Sequence, residues 1–224
     1  MLEQLQKKLD YHFKDLALLK QALVHRSVSR SHNERLEFLG DGCLNFIIAY
    51  ALYERFPDAK EGELSNIRAH LVKESTLHKI AKILELPKHL VISYGERKND
   101  GAKRAGILAD TVEAIIAAVF SDSGFEAAQK VVLTLYDSEL HTIHETSFKC
   151  VTESVKDPKS RLQEHLQAIN QNIPEYEVVA IEGQDHAQTF KIACHAQSLT
   201  TIAEGTSKKR AEQNAAQMML EKLL

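Results

Sequence analysis
The chain has 224 residues, room for one large or two modest domains, and 44% of them are hydrophobic, enough for a real core. Its net charge of −3 excludes a generally basic nucleic-acid binder, so any affinity for nucleic acid has to come from local patches and bound metal ions. Cys43, Cys150 and Cys194 lie too far apart for a zinc pattern or a disulfide framework, which points to a reducing cytosol.

The first thirty residues read as two short helices, 2–9 and 15–24, joined near Tyr11 and Phe13. Leu16, Leu19, Leu23 and Val24 follow helical spacing and are assigned to the core. The segment 1–8 lacks a signal-peptide core. His25 and His32 flank the following loop. Without a third ligand at a suitable spacing they read as surface or capping residues rather than metal ligands.

The chain is organised around residues 31–53. Ser31 followed three residues later by Glu34 has the form of a capping box. From Leu36 to Tyr53 nearly every position is apolar or small, and a helix apolar on all sides is a buried helix. Glu37 and Asp41 stand four apart at its front end, on one face and about 6 Å apart along the axis. Burying carboxylates among apolar groups is unfavourable unless a cation or hydrogen bonds compensate. Gly40 and Gly42 flank Asp41 and leave open backbone beside the charge, which suits the approach of a metal or a phosphate. The same acids would also complement the dipole of an ordinary first turn, although Asp41 is deep for that role.

Phe56-Pro57 ends this helix. Glu61 and Glu63 form the kind of acidic start that the helix dipole favours, ahead of helical residues 64–72. A further helix over 75–84 stops at Leu86-Pro87. Residues 95–104 form a polar, basic loop without the GxxxxGK[ST] pattern, so it is not a P-loop. It serves either to hold phosphates or as a solvated connector. Residues 107–120 are a second apolar helix whose acids, Asp110 and Glu113, are three apart and share a face. Two close acidic pairs on two buried helices would repel one another unless divalent cations sat between them. Hard oxygen ligands of this kind suit Mg²⁺ or Mn²⁺. Two such ions roughly 3.5–4 Å apart activate a water and stabilise the leaving oxygen in phosphodiester hydrolysis. Residues 127–143 are one more amphipathic helix, with His141 and His144 on its exposed side. Residues 147–156 break the periodicity and read as a linker, which makes 1–146 an all-helical domain.

From residue 157 the pattern changes. Asp157-Pro158 is an N-cap followed by proline at the first helical position. That helix carries Leu162, Leu166 and Ile169 on its core face. Three strand-like runs, 175–181, 187–196 and 199–204, come next. Ser207 then caps a last helix that begins Lys208-Lys209-Arg210. From Lys156 onward, eight Lys and Arg stand against nine Asp and Glu, so the cation cluster is a sharper signal than bulk charge. A helix start offers free N–H groups and a positive partial charge to a phosphate. Cations placed there oppose the dipole, which points to an anionic ligand; the plain alternative is a solvated turn.

Three of these features together carry a resemblance. Asn33-Glu-Arg-Leu-Glu-Phe-Leu-Gly-Asp41 resembles the signature motif of the ribonuclease III family, and Leu108-Ala-Asp-Thr-Val-Glu-Ala114 resembles that family's second acidic motif. The α-β-β-β-α order of 157–224 is similar to a double-stranded RNA-binding domain. The resemblance covers essentially the whole chain. It implies an all-α endonuclease domain followed by a small α+β domain. It also implies a Mg²⁺-dependent endoribonuclease, with Mn²⁺ as a substitute, that cuts double-stranded RNA and leaves 5′-phosphate and 3′-hydroxyl ends. The implied setting is a cytoplasmic homodimer with no membrane role that processes rRNA precursors, mRNA and tRNA.

By the same resemblance Glu37, Asp41, Asp110 and Glu113 are metal ligands, with Asp41 and Glu113 indispensable to catalysis, and Glu34 and Glu61 are supporting acids. Gln163, Glu164 and His186 match minor-groove contacts that read 2′-hydroxyls and shape. Lys208 and Lys209 are assigned to phosphates by their position at the start of the last helix. Gly42 and Gly106 stand where the family often has serine, which leaves the local backbone geometry open. Two other readings compete. A non-catalytic duplex-RNA binder has no need of four buried acids. A metal phosphohydrolase acting on nucleotides is disfavoured by the attached RNA module and the absence of any His-Asp dipeptide.

Overall fold
A computed structural model describes residues 2–145, 157–183 and 188–223, in a chain that divides into two compact units, 1–151 and 152–224. The expected linker, 147–156, and the expected RNA contact His186 lie outside the described residues.

The first unit is helical: α1 (Leu2–Leu9), α2 (Leu16–Ala22), α3 (Glu34–Arg55), α4 (Glu61–Val72), α5 (Glu74–Ile83), α6 (Tyr94–Lys98), α7 (Ala105–Leu135) and α8 (Asp137–Glu145). Its centre is the packing of α3 on α7. Leu44, Ile47, Ile48 and Leu52 of α3 are buried with Val112, Ile115, Ile116 and Val119 of α7. Each such side chain stabilises the fold by roughly 1.5–3 kcal/mol. The two helices touch at Gly40, where a Cβ would lie 1.9 Å from the carbonyl oxygen of Glu113. The backbone at Gly40 is therefore not open to a ligand, as the sequence reading has it; α7 fills that space.

Three further expectations change. The capping box does not form: Asn33 is the N-cap of α3, and the Glu34 carboxylate turns to Arg26 Nη1 at 3.0 Å. A charge-assisted pair with a neighbouring guanidinium outcompetes the return to a backbone N–H. Nor is α3 buried on all sides. By length and mean hydropathy it would suffice to cross a bilayer, yet one side folds onto α7 while Phe38, Phe46 and Tyr53 remain 84%, 60% and 67% exposed. Finally, the helix expected over 127–143 is divided. α7 ends at Leu135 with Tyr136 as its C-cap, and α8 begins at Asp137; ahead of the expected span, Gly124 leaves helical geometry within α7 (φ +81°, ψ −171°). Tyr136 is fully buried and its hydroxyl donates to the Leu71 carbonyl at 3.3 Å, which fixes the break before α8.

The basic loop holds α6 and a 3₁₀ turn at Gly101–Lys103. The segment just before it is tied to the residues just after α2 by a parallel bridge between Val24 and Val91.

The second unit is α9 (Pro158–Ala168), β1 (Glu175–Glu182), β2 (Thr189–Ala196), β3 (Leu199–Gly205) and α10 (Lys208–Leu223). The strands form an antiparallel sheet in the order β1-β2-β3, with a bulge between Val178 and Ala180. Leu162 and Leu166 of α9, Cys194 and Ala196 of β2, and Ala215 and Met219 of α10 make a separate core. Ile169, expected on the core face, caps α9 and is exposed. Both expected caps are present: Asp157 accepts from the Lys159 N–H at 2.8 Å and Ser207 from the Arg210 N–H at 3.2 Å.

Candidate metal centre and nucleic-acid interface
The close approach at Gly40 brings the front of α3 against the middle of α7. Glu37, Asp110 and Glu113 consequently each offer an oxygen within 4.8 Å of the others'. The backbone of Glu37 is held from below, where its N–H donates to the carbonyl of buried Asn33 at 2.8 Å.

Three carboxylates at this separation disfavour one another's ionisation. Burial raises Glu37, and Asp110 and Glu34 add to it. Burial raises Asp110 as well, helped by Glu74 and opposed by His25 and Arg26. Glu113 is pushed up to about 8, by burial first and then by Asp41, Asp110 and Glu37. Such a set is unfavourable as bare anions and favourable around a cation. The donors are all hard oxygens, which fits Mg²⁺ or Mn²⁺.

Asp41 stands outside this trio. It is exposed, and its Oδ1 accepts from Asn45 Nδ2 at 2.8 Å while the same amide bonds the Asp41 carbonyl at 3.0 Å. It acts on Glu113 through its charge. Glu34 lies at the rim, paired with Arg26. Glu61 is elsewhere: it accepts from Ser65 Oγ at 2.8 Å and lines a separate cavity of about 480 Å³ with Leu52, Tyr53 and Phe56. A Cβ on Gly42 meets nothing within 4 Å, and one on Gly106 comes only within 3.6 Å of Glu74, so a serine would fit at either place without moving a ligand. His25 and His32 make local bonds through Nδ1: His25 Nδ1 bonds Ser27 Oγ at 2.9 Å, and His32 Nδ1 accepts from the Glu34 N–H at 3.4 Å.

A cavity of about 390 Å³ opens beside the trio, with Glu37 and Asp110 among its walls and His25, Arg26 and Arg104 at its mouth. Sequence reasoning singled out neither Arg26 nor Glu74. Both reach the site through the fold and carry no motif or periodic signal of their own.

In the second unit Gln163 and Glu164 are exposed on α9, and Lys208 and Lys209 are exposed in the first turn of α10, directly behind the Ser207 cap.

Two family models match the chain: a ribonuclease-III-like family over residues 15–140 and the double-stranded RNA binding motif over residues 158–223. The chain is 49% identical to ribonuclease 3 of Histophilus somni over 99% of its length and 98% of that protein's. It is 48% identical to ribonuclease 3 of Mannheimia succiniciproducens over 98% of its length and 96% of that protein's. Among solved structures it resembles the nuclease domain of ribonuclease III from Campylobacter jejuni. The identity there is 42% and the TM-score 0.61, covering 62% of this chain and 97% of that one; that structure is described for flexibility in a region involved in dimer formation.

Proposed function
The chain belongs to the ribonuclease III family of double-stranded-RNA endoribonucleases, and from that premise we propose that it cuts duplex RNA with Mg²⁺, Mn²⁺ substituting, to leave 5′-phosphate and 3′-hydroxyl ends. The nuclease is assigned to residues 1–146 and duplex binding to 157–224, with 147–156 between them. The observation that carries this reading is the carboxylate trio of Glu37, Asp110 and Glu113, in a chain that also contains a duplex-RNA-binding module.

A bound divalent ion supplies a Lewis acid for the phosphate and makes water more acidic. The side chains do the holding. Glu37, Asp110 and Glu113 take the cation, and Asp41, oriented by Asn45, adds a fourth carboxylate beside Glu113. Glu34 and Glu61 are supporting acids. Gln163, Glu164 and His186 contact the minor groove, and Lys208 and Lys209 the phosphates. The substrates are rRNA precursors and other structured transcripts, processed in the cytoplasm.

The test incubates the full chain with long RNA duplex, single-stranded RNA and DNA duplex, with and without Mg²⁺. The expected result is cutting of duplex RNA alone, dependent on the ion, with fragments that ligate without prior phosphorylation. Ca²⁺, larger and less strict in geometry, is expected to support binding with little cutting. Duplex RNA left intact in both Mg²⁺ and Mn²⁺ would overturn the reading.

The working form is a homodimer. The support is the exposed apolar side of α3: a two-fold axis beside that helix would bury Phe38, Phe46 and Tyr53 of both copies at once. Phe38→Arg is expected to give a monomer in sedimentation at micromolar concentration. A variant that stays dimeric at that concentration removes this part of α3 from the interface.

A further inference from the structure
The cavity beside the carboxylates is flanked by two arginines held in the same way. Arg26 Nη1 donates to Glu34 Oε1 at 3.0 Å, and Arg104 Nη1 donates to Glu96 Oε1 at 2.7 Å. Both arginine side chains remain largely in solvent, 68% and 53% exposed, while Glu96 is tucked in at 22%. Arg104 Nη2 also donates to the Asn99 carbonyl at 3.4 Å, which orients the fork further. Each guanidinium is thus held by a carboxylate, and its five N–H groups outnumber these bonds, so donors remain for a phosphate.

The segments carrying them are clipped together. The His25 N–H donates to the Val91 carbonyl and the Val91 N–H to the Leu23 carbonyl, both at 2.9 Å. The Ser93 N–H then donates to Ser27 Oγ at 3.1 Å, and Ser93 Oγ accepts from the Glu96 N–H at 3.3 Å. Glu96 lies in space that only a glycine at 101 leaves free: a Cβ there would sit 2.5 Å from Glu96 Cγ. Gly101 thus places Glu96, and Glu96 places Arg104.

Surface ion pairs of this kind add little to stability, so stability does not account for the scaffold. What it achieves is two oriented guanidinium forks at the mouth of a cavity walled by Glu37 and Asp110. A strand whose scissile phosphate reaches those carboxylates must carry its neighbouring phosphates past that mouth. Guanidinium forks match phosphate oxygens two at a time. We propose that Arg26 and Arg104 grip the RNA phosphates next to the one being cut, with Glu34 and Glu96 as the groups that orient them. This rests on the nuclease reading, and it narrows the role of the basic loop from bulk charge to one arginine, joined by a second from outside the loop.

The test uses full-length Arg26→Gln, Arg104→Gln and the double variant. Lys130→Gln serves as control, because Lys130 pairs with Asp10 and does not line the cavity. Single-turnover cleavage in Mg²⁺ and duplex binding in Ca²⁺ are measured across a salt series. Each single change is expected to lower kcat/KM about ten- to a hundredfold and to flatten its log–log salt slope by roughly one unit. Arg→Lys at either position is expected to keep the slope and lose part of the rate, since charge survives and the fork does not.

Unchanged rate and slope in the double variant would overturn the proposal. So would a rate loss accompanied by a fallen melting temperature and an unchanged slope, the mark of a purely structural role. A wild-type chain that binds duplex but never cuts it would defeat the nuclease reading alone. The two arginines would then stand or fall by the salt slope of binding in Ca²⁺.

Discussion

Glu113→Gln is expected to abolish cleavage of duplex RNA and leave duplex binding intact. The change keeps size and removes the charge that α7 contributes at its closest approach to α3, where Gly40 lies against the Glu113 backbone. Losing one carboxylate of the trio removes several kcal/mol of charge stabilisation from the reacting phosphate, so the rate should fall by about a thousandfold or more. Binding should survive because Glu113 lies outside the double-stranded RNA binding motif of residues 158–223 and the substitution leaves Arg26 and Arg104 in place.

The same substitution has a signature without metal. Glu113 titrates near 8 in the fold against an ordinary 4.5. Between those values the folded chain holds a proton that the unfolded chain has released. Its stability is therefore fully present below about pH 4.5 and is lost as pH rises towards 8. Glu113 is only partly buried, so screening reduces the effect to about 1–2 kcal/mol, or a few degrees in melting temperature. In chelator, Glu113→Gln should melt above the wild type at pH 8 and level with it near pH 5. Mg²⁺ should raise the wild type more than the variant. Melting curves from pH 5 to 9 with and without Mg²⁺ check this, and near-normal turnover by the variant would remove Glu113 from the mechanism.

The acids were legible because spacings of three and four fix a common helical face whatever the rest of the fold does. Asp157 and Ser207 were legible as caps for a similar reason: the partner N–H lies two or three residues away. What needed the structure is non-local. Gly40 reads as open backbone until the helix that fills the gap is in place. The apolar run of α3 says that both sides avoid water but not that α7 covers one side and leaves Phe38 on the other. Gly124 and Tyr136 interrupt a stretch whose periodicity continues on both sides, and the break is set by a hydrogen bond to Leu71, far away in sequence. Arg26 and Arg104 lie 78 positions apart in the sequence numbering and share a cavity only because residues 23–27 and 91–93 are clipped together. Asp41 belongs to the motif by spacing, yet it projects to solvent under the hold of Asn45.

Lys208→Ala with Lys209→Ala is expected to weaken duplex binding by about ten- to a hundredfold without unfolding the second unit. Both lysines are exposed in the first turn of α10, just after a serine whose hydroxyl is already committed to the Arg210 N–H. At that end of a helix a cation is repelled by the dipole, so the wild-type arrangement is less stable than an uncharged one by about 0.3–1 kcal/mol per lysine. A phosphate reverses that balance, because it accepts from the free N–H groups and neutralises the lysines together. The double variant should accordingly melt at or slightly above the wild type while binding less well. The log–log salt dependence of binding should flatten by roughly 1–2 units, since each lost phosphate contact keeps its counterion. The preference for RNA over DNA duplex should persist, because the 2′-hydroxyl contacts are assigned to Gln163 and Glu164 on α9. A salt titration in Ca²⁺ reads all three quantities. Unchanged slope and affinity would make these lysines solvated surface and move the phosphate contacts of this unit to another face.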